Sequence, residues 1–366
     1  MKKRNTFIFG VNVAIIVLTA ISTSIYSNDA RSMDILPNNI NVKNIIIDPY
    51  NTNILYAGIE KNGLYRSADN GENWTYIGTK LPRDDDISVI AIDPAEKVVY
   101  VGTPSGLYVS HDDDNWKYSA EFRTYRIFLQ PAEPSNVIYL STFFGLYVST
   151  VERAWKKAST PFPNVELVPA AMDTSDPGIV YFIMTKPDDV GIYFVDDAGI
   201  KREWNDFGVY KSDDHGETLK KISSIKLGNF LISPSNKNVM FGTDGKKLLK
   251  SIDGGASWNE KEISIIESNI TKLVMNPINN NILYAITSYY HGTQLVARLD
   301  YSMSRIFKSI DNGETWQIIS DFPVNTIAIN PSNPDILYAG TQCGIFKSTN
   351  AGQTWEAQNN GIKPNR

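Results

Sequence analysis

The chain has one cysteine, Cys343, three histidines and no basic run beyond its first four residues, and each scarcity removes a class of protein. A single thiol excludes an internal disulfide, so stability has to come from packing. Its position near the C-terminal end also leaves no cysteine beside the leader for lipid attachment. His111, His215 and His291 lie far apart, and no spacing among them resembles a metal site, so neither metal nor cofactor is expected. Formal charge is −5; without Lys2, Lys3 and Arg4 the remainder carries 32 basic against 40 acidic residues, or −8, the wrong sign for a nucleic-acid surface. Helical periodicity is missing as well. The one long apolar run is N-terminal, where Phe7 to Ile25 is interrupted by Asn12 and Thr19. With its basic start and small residues at Ser22, Ser24 and Ser27, the run reads as an export signal over residues 1–27, with a retained anchor as the alternative. The body is then periplasmic or extracellular, and touches a membrane only if the leader stays. Residues 28–41 form a polar linker, and residues 42–366 one repeating domain.

What the chain has in quantity is repetition. Ser309-Ile-Asp311-Asn-Gly313-Glu-Thr315-Trp316 recurs as Ser67 to Trp74 (with Asp69), Ser212 to Leu219 (Asp214), Ser251 to Trp258 (Asp253) and Ser348 to Trp355 (Asn350). Shorter versions run from Ser110 to Trp116 (Asp112) and from Ser149 to Trp155, which has lost its Asp. The pattern describes a turn between antiparallel strands: the Asp accepts hydrogen bonds within its own turn, the Gly takes a positive φ, and the Trp anchors the outgoing strand. Two further markers also count to seven. Apolar strands stop at Pro49, Pro94, Pro131, Pro177, Pro234, Pro277 and Pro331, and each is followed by a second strand of the kind Ile54-Leu-Tyr-Ala-Gly58. An all-β, single seven-bladed β-propeller of four-stranded antiparallel blades is expected. Each blade is contiguous in sequence, although Ile35 to Asn41 offers an outer strand for blade seven.

The repeated S-x-D-x-G-x-T-W turn resembles the Asp-box, or BNR repeat, found in sialidases, xyloglucanase-type glycosidases, sortilin-type receptor domains and photosystem II assembly factors. The resemblance covers nearly the whole chain after the leader and implies a propeller, but it spans enzymes and non-enzymes alike. A sialidase needs three arginines converging on a carboxylate, and the inner strands carry only Lys43, Arg126 and Lys272 as bases. Xyloglucanase-type enzymes use a cleft between two propellers, whereas one is present here.

The spacings between successive anchor positions from Trp74 to Trp355 are 42, 39, 64, 39, 58 and 39 residues. The excess falls in blades four and six, between their second and third strands. In a four-stranded meander those loops open on the face opposite the Asp-bearing turns, and that face is where a site is expected. It is rich in binding side chains: Arg123, Tyr125 and Arg126 at the entry to blade three, Phe143 and Phe144, Tyr193, Phe194, Trp204 and Phe207 in the blade-four insert, and Tyr289, Tyr290 and His291 in the blade-six insert. Acid–base candidates are Asp84, Asp85, Asp86, Glu166, Asp244 and Asp321, loop carboxylates without a pairing motif. The function expected is an exported, non-catalytic monomer that holds a protein partner or a glycan on this face; the alternative is a glycoside hydrolase using the loop carboxylates.

Overall fold

The structure is a computed structural model that describes residues 40–82, 85–93, 96–130, 137–142, 145–149, 155–158, 167–172, 178–184, 193–195, 201–203, 207–263, 269–291, 298–300 and 304–363. Seven antiparallel sheets hold four strands each, in chain order, and no helix occurs among the described residues. Blade one is Val42–Ile47, Leu55–Ile59, Gly63–Ser67 and Thr75–Tyr76; blade seven is Thr326–Ile329, Leu337–Thr341, Gly344–Ser348 and Glu356–Ala357. First strands of neighbouring blades touch one another, blade seven against blade one included, so they line a central channel and the seven-bladed β-propeller is closed.

The first strands end as their prolines require, and the residue before each proline has a further role. The Oδ1 of Asp48 accepts from the N–H groups of Tyr50 and Asn51, and Asn276 and Asn330 do the same in blades six and seven. Such a cap satisfies donors that the proline turn leaves behind.

Apolar burial lies between blades rather than within them. Trp116 of blade two packs with Tyr56, Leu64 and Ile77 of blade one, and Trp316 of blade six with Phe241 and Leu248 of blade five. Tyr139, Tyr284 and Tyr338, all from second strands, are wholly buried. Each such side chain contributes roughly 1.5–3 kcal/mol by leaving water.

Strand direction fixes two faces. The turns after the first and third strands lie on one, here the turn face; the loops after the second strands and the links between blades lie on the other, the loop face. On the turn face the repeated motif closes as its residue types require. The Ser309 hydroxyl donates to Asp311 Oδ1 (2.8 Å) and accepts from Gly313 N–H (2.9 Å). Asp311 Oδ1 accepts from Thr315 N–H (2.8 Å), and its Oδ2 from the Thr315 hydroxyl (2.5 Å). The same bonds recur around Asp69, Asp214 and Asp253, and the shorter turn at Asp112 keeps most of them. In blade seven Asn350 replaces the acid, with its Nδ2 donating to the Thr354 hydroxyl at 2.8 Å. Gly313 has φ 83°, and a Cβ there would lie 2.3 Å from Leu248 Cδ2 of the preceding blade. The anchoring indoles act in two ways. Trp74, Trp116 and Trp355 donate to carbonyls of the preceding blade's outer edge, at Gln358, Ile77 and Ile319; Trp258 and Trp316 donate to Gly255 and Gly313 of their own turns.

The ring closes without exchanging a strand. Glu356–Ala357 is the outer strand of blade seven, so the segment entering blade one does not supply it. Ile40 instead forms a parallel bridge with Cys343, in the loop after the second strand of blade seven, and Asn325 Nδ2 donates to Asn41 Oδ1 and Val42 O. Residues 35–39 lie outside the described residues. At the other end the chain returns to blade one, where Trp74 N–H donates to Asn360 O and Asn62 Nδ2 to Lys363 O.

Candidate functional site

The loop face carries two hairpins that rise from the scaffold. In blade six the second strand runs on as Leu283–His291, and its tip, Tyr289, Tyr290 and His291, pairs with Asp300, Leu299 and Arg298. In blade four Tyr193–Val195 pairs with Lys201–Glu203 as a separate two-stranded sheet. Both lie between second and third strands, as the spacing predicts. Sequence reading missed that the blade-six insert begins as a continuation of the blade strand; the alternation Thr287, Tyr289, His291 is its faint signal. Phe143, Phe144, Trp204, Asp84 and Glu166 lie outside the described residues. Arg123 and Arg126 are exposed at the entry to blade three.

The described carboxylates of this face are mostly engaged by backbone. Asp85 Oδ2 accepts from Ser105 N–H (3.1 Å) and Asp86 Oδ1 from Lys61 N–H (3.1 Å), so each caps a loop of its own or the preceding blade. Asp244 Oδ1 accepts from Lys246 and Lys247 N–H groups at 2.9 and 2.8 Å. Asp321 is exposed in the link to blade seven. No group of His, Cys, Asp and Glu suited to a metal occurs among the described residues. Cys343 is half-buried and burial pushes its thiol up, which disfavours a thiolate nucleophile.

The channel wall adds a second feature. Counted back from the proline stops, Asn44, Val89, Arg126, Asn229, Lys272 and Thr326 share one level of the first strands, near the loop face. Asn44 Nδ2 donates to Ile87 O and Ser88 O of blade two, and Asn229 Nδ2 to Thr271 O of blade six. At the same level Lys272 Nζ donates to Thr326 Oγ1 of blade seven at 3.1 Å. Burial first, and then the charge of Arg126, pull the Lys272 ammonium down to about 8. Lys43 is paired with Glu60 at 3.4 Å.

No family model matches the chain. A xyloglucanase from Acetivibrio thermocellus is 30% identical over 99 residues, which are 24% of this chain and 11% of that enzyme. Among solved structures, the GH74 xyloglucanase from Xanthomonas campestris superposes with a TM-score of 0.51 at 15% identity, over 90% of this chain and 55% of that one. YCF48 from Cyanidioschyzon merolae superposes at 0.56 and 13% identity, over 86% of this chain and 97% of that one; YCF48 bound to D1 peptide gives 0.55 at 13%, over 86% and 93%. The chain thus spans about half of the solved xyloglucanase and a small part of the curated one. Identities this low speak for the architecture alone, and what these comparisons and the blade topology establish together is a seven-bladed β-propeller of the kind used both by xyloglucanases and by YCF48.

Proposed function

We propose that this chain is an exported, non-catalytic binding scaffold whose loop face holds a protein partner or a glycan, and that its repeated turns are Asp-boxes serving only to staple blades. The observation that carries the reading is the pairing of Tyr289, Tyr290 and His291 with residues 298–300, which extends the second strand of blade six as a two-stranded hairpin on the loop face. Rigid scaffolds that raise short aromatic hairpins present preorganised contact area at small entropic cost. YCF48, similar across most of both chains, is seen bound to a peptide, which favours a protein partner. The hydrolase alternative draws on the xyloglucanase likeness, but Asp85, Asp86 and Asp244 already accept backbone N–H bonds that tie each of them to a loop. The test joins an affinity pull-down and a glycan array to turnover assays on xyloglucan and sialosides. A scaffold shows no turnover and loses its partner when Tyr289, Tyr290 and Arg126 are replaced together. Turnover that vanishes in Asp321→Asn or Asp244→Asn with the fold intact would establish the hydrolase instead.

A further inference from the structure

An asparagine followed by glycine is chemically labile, because no side chain screens the glycine N–H from the asparagine amide beside it. The sequence holds four such steps, Asn62-Gly63, Asn70-Gly71, Asn312-Gly313 and Asn360-Gly361. The fold holds three of them and leaves the fourth open.

In the two repeated turns the glycine N–H is committed: Gly71 donates to the Ser67 hydroxyl and Gly313 to the Ser309 hydroxyl, each at 2.9 Å. At Asn62 it is the side chain that is fixed. Its Nδ2 donates to Lys363 O at 2.6 Å, its Oδ1 accepts from the Tyr65 hydroxyl at 3.2 Å, and Gly63 lies in strand register opposite Ile59. Asn360 and Gly361 are both exposed, and the Gly361 N–H has no hydrogen-bond partner among the described residues. The Asn360 side chain is held through one atom, Nδ2, by Asn73 Oδ1 of blade one. Nor can the step be relieved by a larger residue: Gly361 has φ 88°, and a Cβ there would lie 2.1 Å from Trp74 O.

What the Asn360 amide does at this place is directional. It donates to Asn73 Oδ1, and Asn73 Nδ2 donates in turn to Asp69 Oδ2 at 2.7 Å, so a relay of two amides ties the returning segment to the carboxylate of blade one's repeated turn. Such a relay needs a donor at position 360.

We propose that Asn360-Gly361 is a self-modification site, which deamidates in the folded protein and thereby loosens the ring at its seam. The Gly361 nitrogen, its proton taken by solvent base, attacks Asn360 Cγ; the N–Cγ bond forms, the Cγ–Nδ2 bond breaks, and Nδ2 leaves as ammonia, giving a cyclic imide. Water then opens the imide at either carbonyl, to an aspartyl residue or its β-linked isomer. Both products have lost the Nδ2 donor. The aspartyl product puts a carboxylate before Asn73 Oδ1, and if Asn73 turns its amide to meet it, Asp69 Oδ2 loses its own donor. The β-linked product routes the main chain through Cγ and turns the Asn360 carbonyl, which accepts from Trp74 N–H, into a free carboxylate. This chemistry is independent of what the loop face binds, so its test and that of the scaffold reading fail separately.

The test ages the full chain, folded, at pH 7 and pH 8 and follows each Asn-Gly peptide by mass spectrometry. The Asn360 peptide should convert roughly tenfold faster than the other three or more, because those react only through local opening. Its rate should rise about tenfold from pH 7 to pH 8, as the deprotonated fraction of the backbone nitrogen does. In concentrated guanidinium chloride all four peptides should convert at comparable rates, which would assign the selection to the fold. The deamidated fraction, separated by its added negative charge, should unfold at lower denaturant than fresh protein, and Asn360→Asp should do so without ageing. Asn360→Gln keeps an amide donor and cyclises far more slowly, so its own midpoint should not drift with age. If Asn360 converts no faster than the other three in the folded protein, or if the deamidated fraction keeps the fresh midpoint, the proposal is refuted.

Discussion

The carboxylate of Asp311 makes four hydrogen-bonding contacts within one turn and is pulled down to about 2 by the Thr315 hydroxyl and backbone N–H, then by Ser309. Asp253 and Asp112 sit at about 2 for similar reasons, and Asp69 and Asp214 are also lowered. Because the folded values lie below the ordinary 3.8, these groups stabilise the fold above about pH 4 and lose that contribution as pH falls towards 2. Melting temperature measured against pH should therefore drop across that interval. Asn350 shows that an amide can keep the same partners, with the hydroxyl bond reversed so that Nδ2 donates to Thr354, so Asp311→Asn should melt close to the parent at pH 7 and have a shallower acid limb, whereas Asp311→Ala should be destabilised at both pH values. Trp316→Ala, which empties a site between blades five and six, should cost about 3–5 kcal/mol by denaturant titration. At this scale the Ser, Asp, Gly and Trp were readable because each residue type is forced by its bond. The fourth residue of the turn was not: Asn70, His215, Asn312 and Ala351 all take a positive φ near 55–60°, and Ala351 shares no side-chain chemistry with the others. There the turn imposes the conformation and the residue type carries little signal.

For the single element, the sequence located the extra length but not its form. Spacings of 64 and 58 against about 40 elsewhere are enough to place the insertions, because box, proline stop and second strand bracket them. Whether the insert pairs depends on contacts within the insert itself, which no repeat reports. The blade-six hairpin rests on strand Leu283–His291, whose first half is buried in the blade while its tip pairs only with residues 298–300 in the described structure. Replacing residues 289–300 with a short Gly-Ser turn should leave the far-UV spectrum and melting temperature nearly unchanged and abolish partner capture. A loss of several degrees in melting temperature would show that the hairpin supports the blade instead. On the opposite face, Gly313→Ala must fit a methyl against Leu248 of the preceding blade at a positive φ, and should cost about 1–3 kcal/mol, visible as an earlier unfolding midpoint.

Over the whole molecule, a ring is only as stable as its seam. Sequence counting gave the number of blades, since three markers agree, but the seam has no motif: it is built from Ile40, Asn41, Asn325 and a tail whose value is its backbone carbonyls. Trp74 donates its N–H to Asn360 O and its indole Nε1–H to Gln358 O, and Ile362 is buried against blade one. Ending the chain at Ala357 removes these acceptors at once. The truncated protein should unfold at lower denaturant with a broadened transition, blades one and seven losing amide-exchange protection first.

The same seam decides how the molecule can be held. Ile40 meets the loop of blade seven after its second strand, and Lys363 meets Asn62 in the corresponding loop of blade one, so both ends of the ring emerge side by side on the loop face. A sensor chip, a bead or a retained leader would therefore grip the protein from that side and turn the Asp-bearing turns outward. A bulky analyte would have to enter between that support and the loop face. Binding measured with the protein immobilised by its ends should therefore fall with analyte size, and recover when the attachment is moved to an engineered cysteine in a turn such as Asn312→Cys.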